Sequence, residues 1–360
     1  MKILHVLSSD KFSGAENVVC QIIGLFKGDD GIEMFYVSPD GEIKDSLKEM
    51  DVPYIPLKKL SVSSVRKVIK EQKPDLIYSH DMRASFVCAL ACGKIPLVSH
   101  IHNNAFDSRK LSLKSLLYVF AGLKAKHIFW VSQSAFDGYA FHKLFRKKSS
   151  VLYNVIDIDA LYKKMSCDDK TYDFDVIYVG RLTSPKNPQR LMHVFKLLCE
   201  KNTNVKIAVV GAGELEEETK ALCKEYDLQN NVSFLGFQPN PSKMLHDSKV
   251  MVITSRWEGL PMCALEAMAL GVPIVGTPVD GLKYLVEQNV DGYLSDKDDE
   301  LASDIAFLVD DKNLHDRMSA NSIKKAYVVN DKTAYKTEIN RIINEIAQNN
   351  RKRGAKWART

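Results

Sequence analysis

Lys249-Val-Met-Val-Ile-Thr-Ser-Arg-Trp-Glu258-Gly-Leu-Pro-Met-Cys-Ala-Leu-Glu266 joins a short apolar run to an amphipathic stretch through a polar loop. Residues 249–255 suit a buried strand. Residues 262–270 suit a helix, opened by Pro261 at its first turn and closed by Gly271, with Pro273 just beyond. Glu258 is then expected in the loop and Glu266 about one turn into the helix. Between them Gly259, Leu260, Pro261, Met262 and Cys263 form a helix entrance, whose free amides are a natural seat for a diphosphate or a sugar oxygen. Two acids around such an entrance suit a ligand that carries both phosphate and hydroxyls. Set against that reading is a pair of solvated charges.

The same strand-loop-helix rhythm recurs along the chain. Apolar runs at 2–7, 34–37, 76–78, 97–100 and 127–131 alternate with helical stretches at 16–26, 62–71, 83–92 and 110–123. After the polar stretch 168–173, a linker candidate, strands are expected at 174–179, 205–210, 232–235, 250–253 and 274–275. Alternation of this kind makes parallel sheets covered by helices, and 360 residues suffice for two such cores. The expected division is 1–167, 168–335, a C-terminal helix at 336–350 with room to cross back, and a basic tail at 351–360.

Composition narrows the class. Apolar content of 45% and charged content of 26% are ordinary for a soluble protein. No run reaches the roughly 18 apolar residues of a membrane span. The N-terminus lacks a signal peptide's long apolar stretch and cleavage site, and reads as a first strand. Seven cysteines without a paired framework suit a reduced, cytoplasmic protein. Charge is uneven: residues 1–165 carry a net +7, residues 166–350 a net −7, and the tail five basic residues with no acid.

In open parallel sheets ligands bind beyond the carboxyl ends of strands, so each strand-to-helix loop matters. Ser8-Ser-Asp-Lys-Phe-Ser13-Gly14 would bring backbone close to a phosphate, or be a plain turn with Ser13 as helix cap. Gly180-Arg181-Leu-Thr-Ser-Pro-Lys186 places two cations ahead of a helix, suited to a diphosphate or else plain solvated loop charges. Gly211-Ala-Gly213 resembles half of a dinucleotide fingerprint, but Glu216 stands where its third glycine belongs. His100 and His102 share one strand face, and Tyr78-Ser-His80-Asp81 ends the preceding strand. No thiolate or closely spaced carboxylate accompanies these histidines, so no metal is expected.

Taken together, these loops resemble the family-4 retaining glycosyltransferases from residue 1 to about 345. The resemblance implies the GT-B fold, two facing Rossmann-like, doubly wound domains with a cleft between them. It implies that Arg181 and Lys186 bind the donor's diphosphate, Glu266 the nucleotide ribose, and Glu258 the transferred sugar. It places His102 beside that sugar and the Ser13-Gly14 loop near the phosphates, with Gly180, Gly211, Gly213 and the 259–263 segment completing the donor site. Departures are Ser13 where Gly is frequent, Val155 where a Gly often follows Asn, and Tyr284 where Glu is common. The expected activity is sugar transfer from a nucleotide donor, most often UDP-linked, with retention and with neither cofactor nor metal. A nonhydrolysing UDP-sugar epimerase, a dehydrogenase or a non-catalytic sugar-nucleotide-binding protein would compete with that reading.

Residues 109–148 carry nine basic side chains against one acid, Asp137. Leu113, Leu116, Leu117, Phe120 and Leu123 interleave with them at roughly helical spacing. Either this stripe packs on its own sheet, or it lies on an anionic membrane with the Trp357 tail as a second contact. The membrane reading suits a polyprenyl-diphosphate-linked acceptor at the cytoplasmic face of a bacterial membrane. Nucleic acid is not expected, since no recognition motif accompanies the charge.

Overall fold

The structure, a computed structural model, describes residues 1–103 and 106–357, with side chains through 349 apart from that at 106. It divides into two compact units. The first holds Met1–Asn154 and the C-terminal residues from Asp331, and the second holds Val155–Asn330.

In the first unit seven strands form one sheet: β1 (Lys2–Val6), β2 (Glu33–Pro39), β3 (Tyr54–Leu57), β4 (Leu76–His80), β5 (Leu97–Ile101), β6 (His127–Trp130) and β7 (Ser149–Val151). Their order is β3-β2-β1-β4-β5-β6-β7, and every pairing is parallel. The second unit has β8 (Val176–Val179), β9 (Ile207–Val210), β10 (Val232–Gly236), β11 (Val250–Ile253), β12 (Ile274–Gly276) and β13 (Gly292–Leu294). Their order is β10-β9-β8-β11-β12-β13, again all parallel. Helices cover both faces, so central strands are apolar on both sides: β4, β9 and β11 are buried throughout. Each sheet reverses direction once, between β1 and β4 and between β8 and β11. Such a switch point leaves a crevice at the carboxyl ends of its two strands, because their loops turn to opposite faces.

Strands β3, β7 and β13 fall outside the ten expected from the sequence. Each is only three or four residues long and lacks a fully buried run. The unit boundary lies at Asn154–Val155, ahead of the expected 167/168. Packing explains the difference, because the helix Ile158–Ser166 docks on the second unit, with the Tyr162 hydroxyl donating to Ala269 O at 2.8 Å. Asn330 then ties that unit's two ends together, accepting from Ile156 N at 2.6 Å and donating to Ile156 O at 2.9 Å. Beyond it the helix Lys332–Trp357 returns to the first unit. It buries Tyr335, Ile339, Ile342 and Ile346 at helical spacing, and Lys336 pairs with Asp29 at 2.8 Å. The polar stretch 168–173 is not a linker between units but part of the second, where Tyr172 N donates to Asp247 at 3.2 Å. The side chains of the basic tail lie outside the described residues.

Candidate functional site

The loops after β8 and β11 flank the second sheet's switch point, and this brings Lys186 and Glu258 together across 72 residues of sequence. Lys186 Nζ donates to Glu258 Oε1 at 2.6 Å. Their side chains are only 18% and 10% exposed. Burial works against the Lys186 ammonium, but Glu258 beside it outweighs that cost, so its pKa is raised and the charge is kept. Glu258 is held further by the Ser255 hydroxyl at 2.5 Å, and its own N–H donates to Asp280 Oδ2 at 3.3 Å. Sequence reasoning missed Ser255 and Asp280. Ser255 could have been found three residues before Glu258 in the same loop. Asp280 comes from the loop after β12, and nothing local to Glu258 points to it.

Arg181 is exposed, and among the described residues its guanidinium has no hydrogen-bond or ion-pair partner. Its carbonyl accepts from the buried Tyr178 hydroxyl at 2.9 Å, so the backbone is fixed while the side chain is free. The two cations thus differ: Lys186 is committed to Glu258, and Arg181 is available.

The helix Met262–Ala269 opens on Pro261 with no side-chain cap. Ala264 N and Leu265 N reach Pro261 O at 3.2 and 3.4 Å, which leaves the Met262 and Cys263 amides as the orphan donors of the first turn. Glu266 sits on the same helix, half-buried. Burial pushes its carboxyl up to about 7, Lys164 pulling weakly the other way. Among the described residues Glu266 has no hydrogen-bond donor. An under-satisfied carboxylate beside uncapped amides can accept from paired hydroxyls while the amides hold an anion. Burial also pushes the neighbouring Cys263 thiol up to about 12, which makes it inert as a nucleophile.

Gly211 and Gly213 have a packing explanation that requires no ligand. A Cβ on Gly211, whose φ is +134°, would fall 1.9 Å from Gly180 O, and one on Gly213 would fall 2.2 Å from Leu182 O. These glycines let the loops after β8 and β9 pair by backbone, with Gly180 N donating to Val210 O at 3.0 Å and Leu182 N to Ala212 O at 3.0 Å.

In the first unit Gly14 opens the helix Gly14–Phe26. Ser13 does not cap it; its hydroxyl bonds Glu16 instead. His102 follows β5, with its ring centroid 4.1 Å from that of His100, as alternation along the strand requires. His80 Nδ1 lies 2.8 Å from His102 Nε2. Nitrogens of His80, His100 and His102 lie within 4.8 Å of one another. The ring planes meet at 21° to 38°, and the His80 and His102 rings, with centroids 5.1 Å apart, meet edge to edge through that hydrogen bond. Burial holds all three neutral near pH 7, His102 falling to about 3. Among the described residues His100 Nε2 and His102 Nδ1 are buried without a partner, an arrangement that ordinarily costs about 1–3 kcal/mol per group. Asp81, the residue after β4, adopts a left-handed φ of 63°. Its carboxylate accepts from both His102 N and Asn103 Nδ2 at 3.0 Å. Non-glycine strain of this kind clusters at functional strand ends.

Two family models match the chain. "Glycosyltransferase Family 4" covers residues 12–160, and "Glycosyl transferases group 1" covers 168–325. An uncharacterised glycosyltransferase of Methanocaldococcus jannaschii is 34% identical over 59% of this chain, and the match spans 58% of that relative's length. The UDP-Gal:alpha-D-GlcNAc-diphosphoundecaprenol alpha-1,3-galactosyltransferase of Escherichia coli is 25% identical over 83% of this chain and 81% of its own. Among solved structures, Anabaena HepE in complex with UDP and glucose superposes with a TM-score of 0.84 at 23% identity, covering 96% of this chain and 99% of that one. Two parallel α/β units, paired family models over most of the sequence and these neighbours place the chain in the family-4 glycosyltransferases, with their GT-B fold.

Proposed function

We propose that this chain transfers a sugar from a nucleotide-diphosphate donor, UDP-linked, to a lipid-linked glycan. The observation that carries the reading is the second unit's switch point. There the buried Lys186–Glu258 pair lies within electrostatic reach of Arg181 and of Cys263 at the uncapped Met262–Ala269 terminus, and Cys263 within reach of Glu266; among the described residues the Arg181 guanidinium and the Glu266 carboxylate have no hydrogen-bond partner. Arg181 and the Met262 and Cys263 amides would neutralise the leaving diphosphate, with Lys186 adding the N–H donors it does not give to Glu258, which makes a metal unnecessary. Glu266 would accept from the ribose hydroxyls, and Glu258 would orient the transferred sugar. Ser13, Gly14 and His102 remain proposed donor contacts.

The acceptor hydroxyl would attack on the face from which the diphosphate departs. The new bond to the anomeric carbon forms as the old one breaks, the hydroxyl proton passes to the leaving phosphate oxygen, and configuration is retained without a covalent enzyme intermediate. The E. coli relative's name gives it a UDP-Gal donor and a diphosphoundecaprenol-linked acceptor. We assign the same classes here. Thermal unfolding with UDP, UDP-sugars and NAD tests the donor: stabilisation by UDP-sugars is expected, and stabilisation by NAD alone would favour a dehydrogenase. Conversion of a UDP-sugar without any acceptor would instead indicate an epimerase.

The first unit supports a membrane-facing acceptor side. The helix Leu113–Lys124 buries Ser115, Tyr118, Ala121 and Gly122, a face of mostly small residues. Its leucines therefore point outward, with Leu113 73% and Leu123 64% exposed and Leu116, Leu117 and Phe120 beside them. Lys110, Lys114, Lys124 and Lys126 are exposed around them. This outward stripe disfavours simple packing on the sheet and suits an interfacial helix. Among the described residues no helix is long and apolar enough to cross a membrane. In liposome flotation the protein is expected to bind vesicles containing anionic lipid and to dissociate as salt shortens the Debye length below about 8 Å. Equal binding to neutral vesicles, or none to either, would refute a charge-assisted membrane site.

A further inference from the structure

Three imidazoles of the first unit run in one hydrogen-bonded line that ends on a sulfur. His5 Nε2 lies 3.3 Å from Met34 Sδ, His5 Nδ1 lies 3.0 Å from His80 Nε2, and His80 Nδ1 lies 2.8 Å from His102 Nε2. Burial holds His5 and His102 down to about 3 and His80 well below its ordinary value, so near neutral pH each ring carries one proton. Each ring then has one donor nitrogen and one acceptor nitrogen. A line of such rings can run in either direction unless one end can act only as donor or only as acceptor. A thioether carries no proton and can only accept. His5 must therefore place its proton on Nε2, His80 likewise, and His102 likewise. The opposite order would set a bare nitrogen against the sulfur lone pairs.

We propose that His5 and His80 are positioning residues: their Met34-terminated relay holds His102 as the Nε2–H tautomer and presents its Nδ1 as a hydrogen-bond acceptor for a ligand hydroxyl. That Nδ1 is buried and has no partner among the described residues, which leaves its lone pair open to a donor from a bound molecule. The backbone is fixed as firmly as the ring. Asp81, next in sequence to His80, receives both His102 N and Asn103 Nδ2. Switch-point topology explains the arrangement, because β1 and β4 are neighbours and β5 follows, which sets His5, His80 and His102 side by side. Identifying the hydroxyl as one on the transferred sugar rests on the function proposed above.

Long-range proton–nitrogen NMR of the full-length protein with ¹⁵N-labelled histidine, free of ligand at pH 7, reads the tautomers directly. His5, His80 and His102 are expected as Nε2–H. Met34→Leu keeps apolar bulk and removes the terminal acceptor. It should turn His102 into a mixture of tautomers and lower kcat/KM by about 2- to 10-fold. An Nδ1–H tautomer at His102 in the wild type, or an unchanged Nε2–H tautomer in Met34→Leu, would overturn the relay. So would equimolar Zn(II) moving the His80, His100 and His102 signals together, which would reveal a metal cluster instead. When calorimetry shows a UDP-sugar bound, the His102 Nδ1 signal is expected to shift, and a stationary signal would overturn the hydroxyl contact. If no UDP-sugar binds at all, the proposed function fails, while the ligand-free spectra still decide the relay.

Discussion

Arg181→Ala is expected to lower turnover on the order of 10²-fold while moving Tm by less than about 2 °C. The Arg181 side chain is exposed and unpartnered among the described residues, so its removal leaves no buried charge behind. Lys186→Ala should cost at least as much in turnover, but with a different stability signature. Removing Lys186 strands the Glu258 carboxylate beside Ser255 in a nearly closed environment, and losing one partner of such a pair typically costs about 3–5 kcal/mol. The double variant Lys186→Ala/Glu258→Ala is expected to regain part of that stability and none of the activity. Steady-state kinetics beside thermal melts separate the outcomes. Near-normal turnover in a well-folded Arg181→Ala protein would remove the guanidinium from the leaving-group site.

Glu266→Ala is expected to weaken UDP binding by about 10- to 100-fold, since two ribose hydroxyls would lose a charged acceptor worth roughly 1.5–3 kcal/mol. Its pKa of about 7 adds a pH signature. The native value lies above the unfolded value of about 4.3, so the fold prefers the protonated form. The resulting stability is full at low pH and is lost as pH rises through about 7. Binding that uses the ionised carboxylate runs the opposite way: UDP affinity should tighten between pH 6 and 8. Glu266→Gln should flatten that change to whatever UDP's own titration supplies, and calorimetry at the two pH values measures the difference. Glu258→Ala should slow transfer while UDP affinity stays within about threefold of normal. Equal loss of UDP affinity in the Glu258 and Glu266 variants would mean that the two carboxylates do not divide ribose from sugar.

Local signals were enough to find most of the elements. The runs 250–253 and 262–270 emerge as β11 and the helix Met262–Ala269 because apolar continuity, Pro261 and Gly271 act over only a few residues. The short strands β3, β7 and β13 were not legible, since each draws its stability from a neighbouring strand and not from its own pattern. The leucine stripe of Leu113–Lys124 was visible, but its direction was not. Only the packing of Ser115, Tyr118 and Ala121 against the unit turns Leu113 and Leu123 outward.

The sequence by itself determined the alternation of parallel strands and helices, the placement of Arg181, Lys186, Glu258 and Glu266 in loops and helix starts, and the sharing of one face by His100 and His102. These follow from periods of two and 3.6 residues and from Pro and Gly punctuation, all of it local. Tertiary structure alone decided that Lys186 neutralises Glu258 and that Asp280 and Ser255 hold it. It likewise decided that Gly211 serves the backbone of Gly180 and that His5 reaches His102 through His80. Each of these contacts depends on which strands become neighbours at a switch point. That choice is made by how whole helices cover a sheet, and no stretch of the chain records it alone.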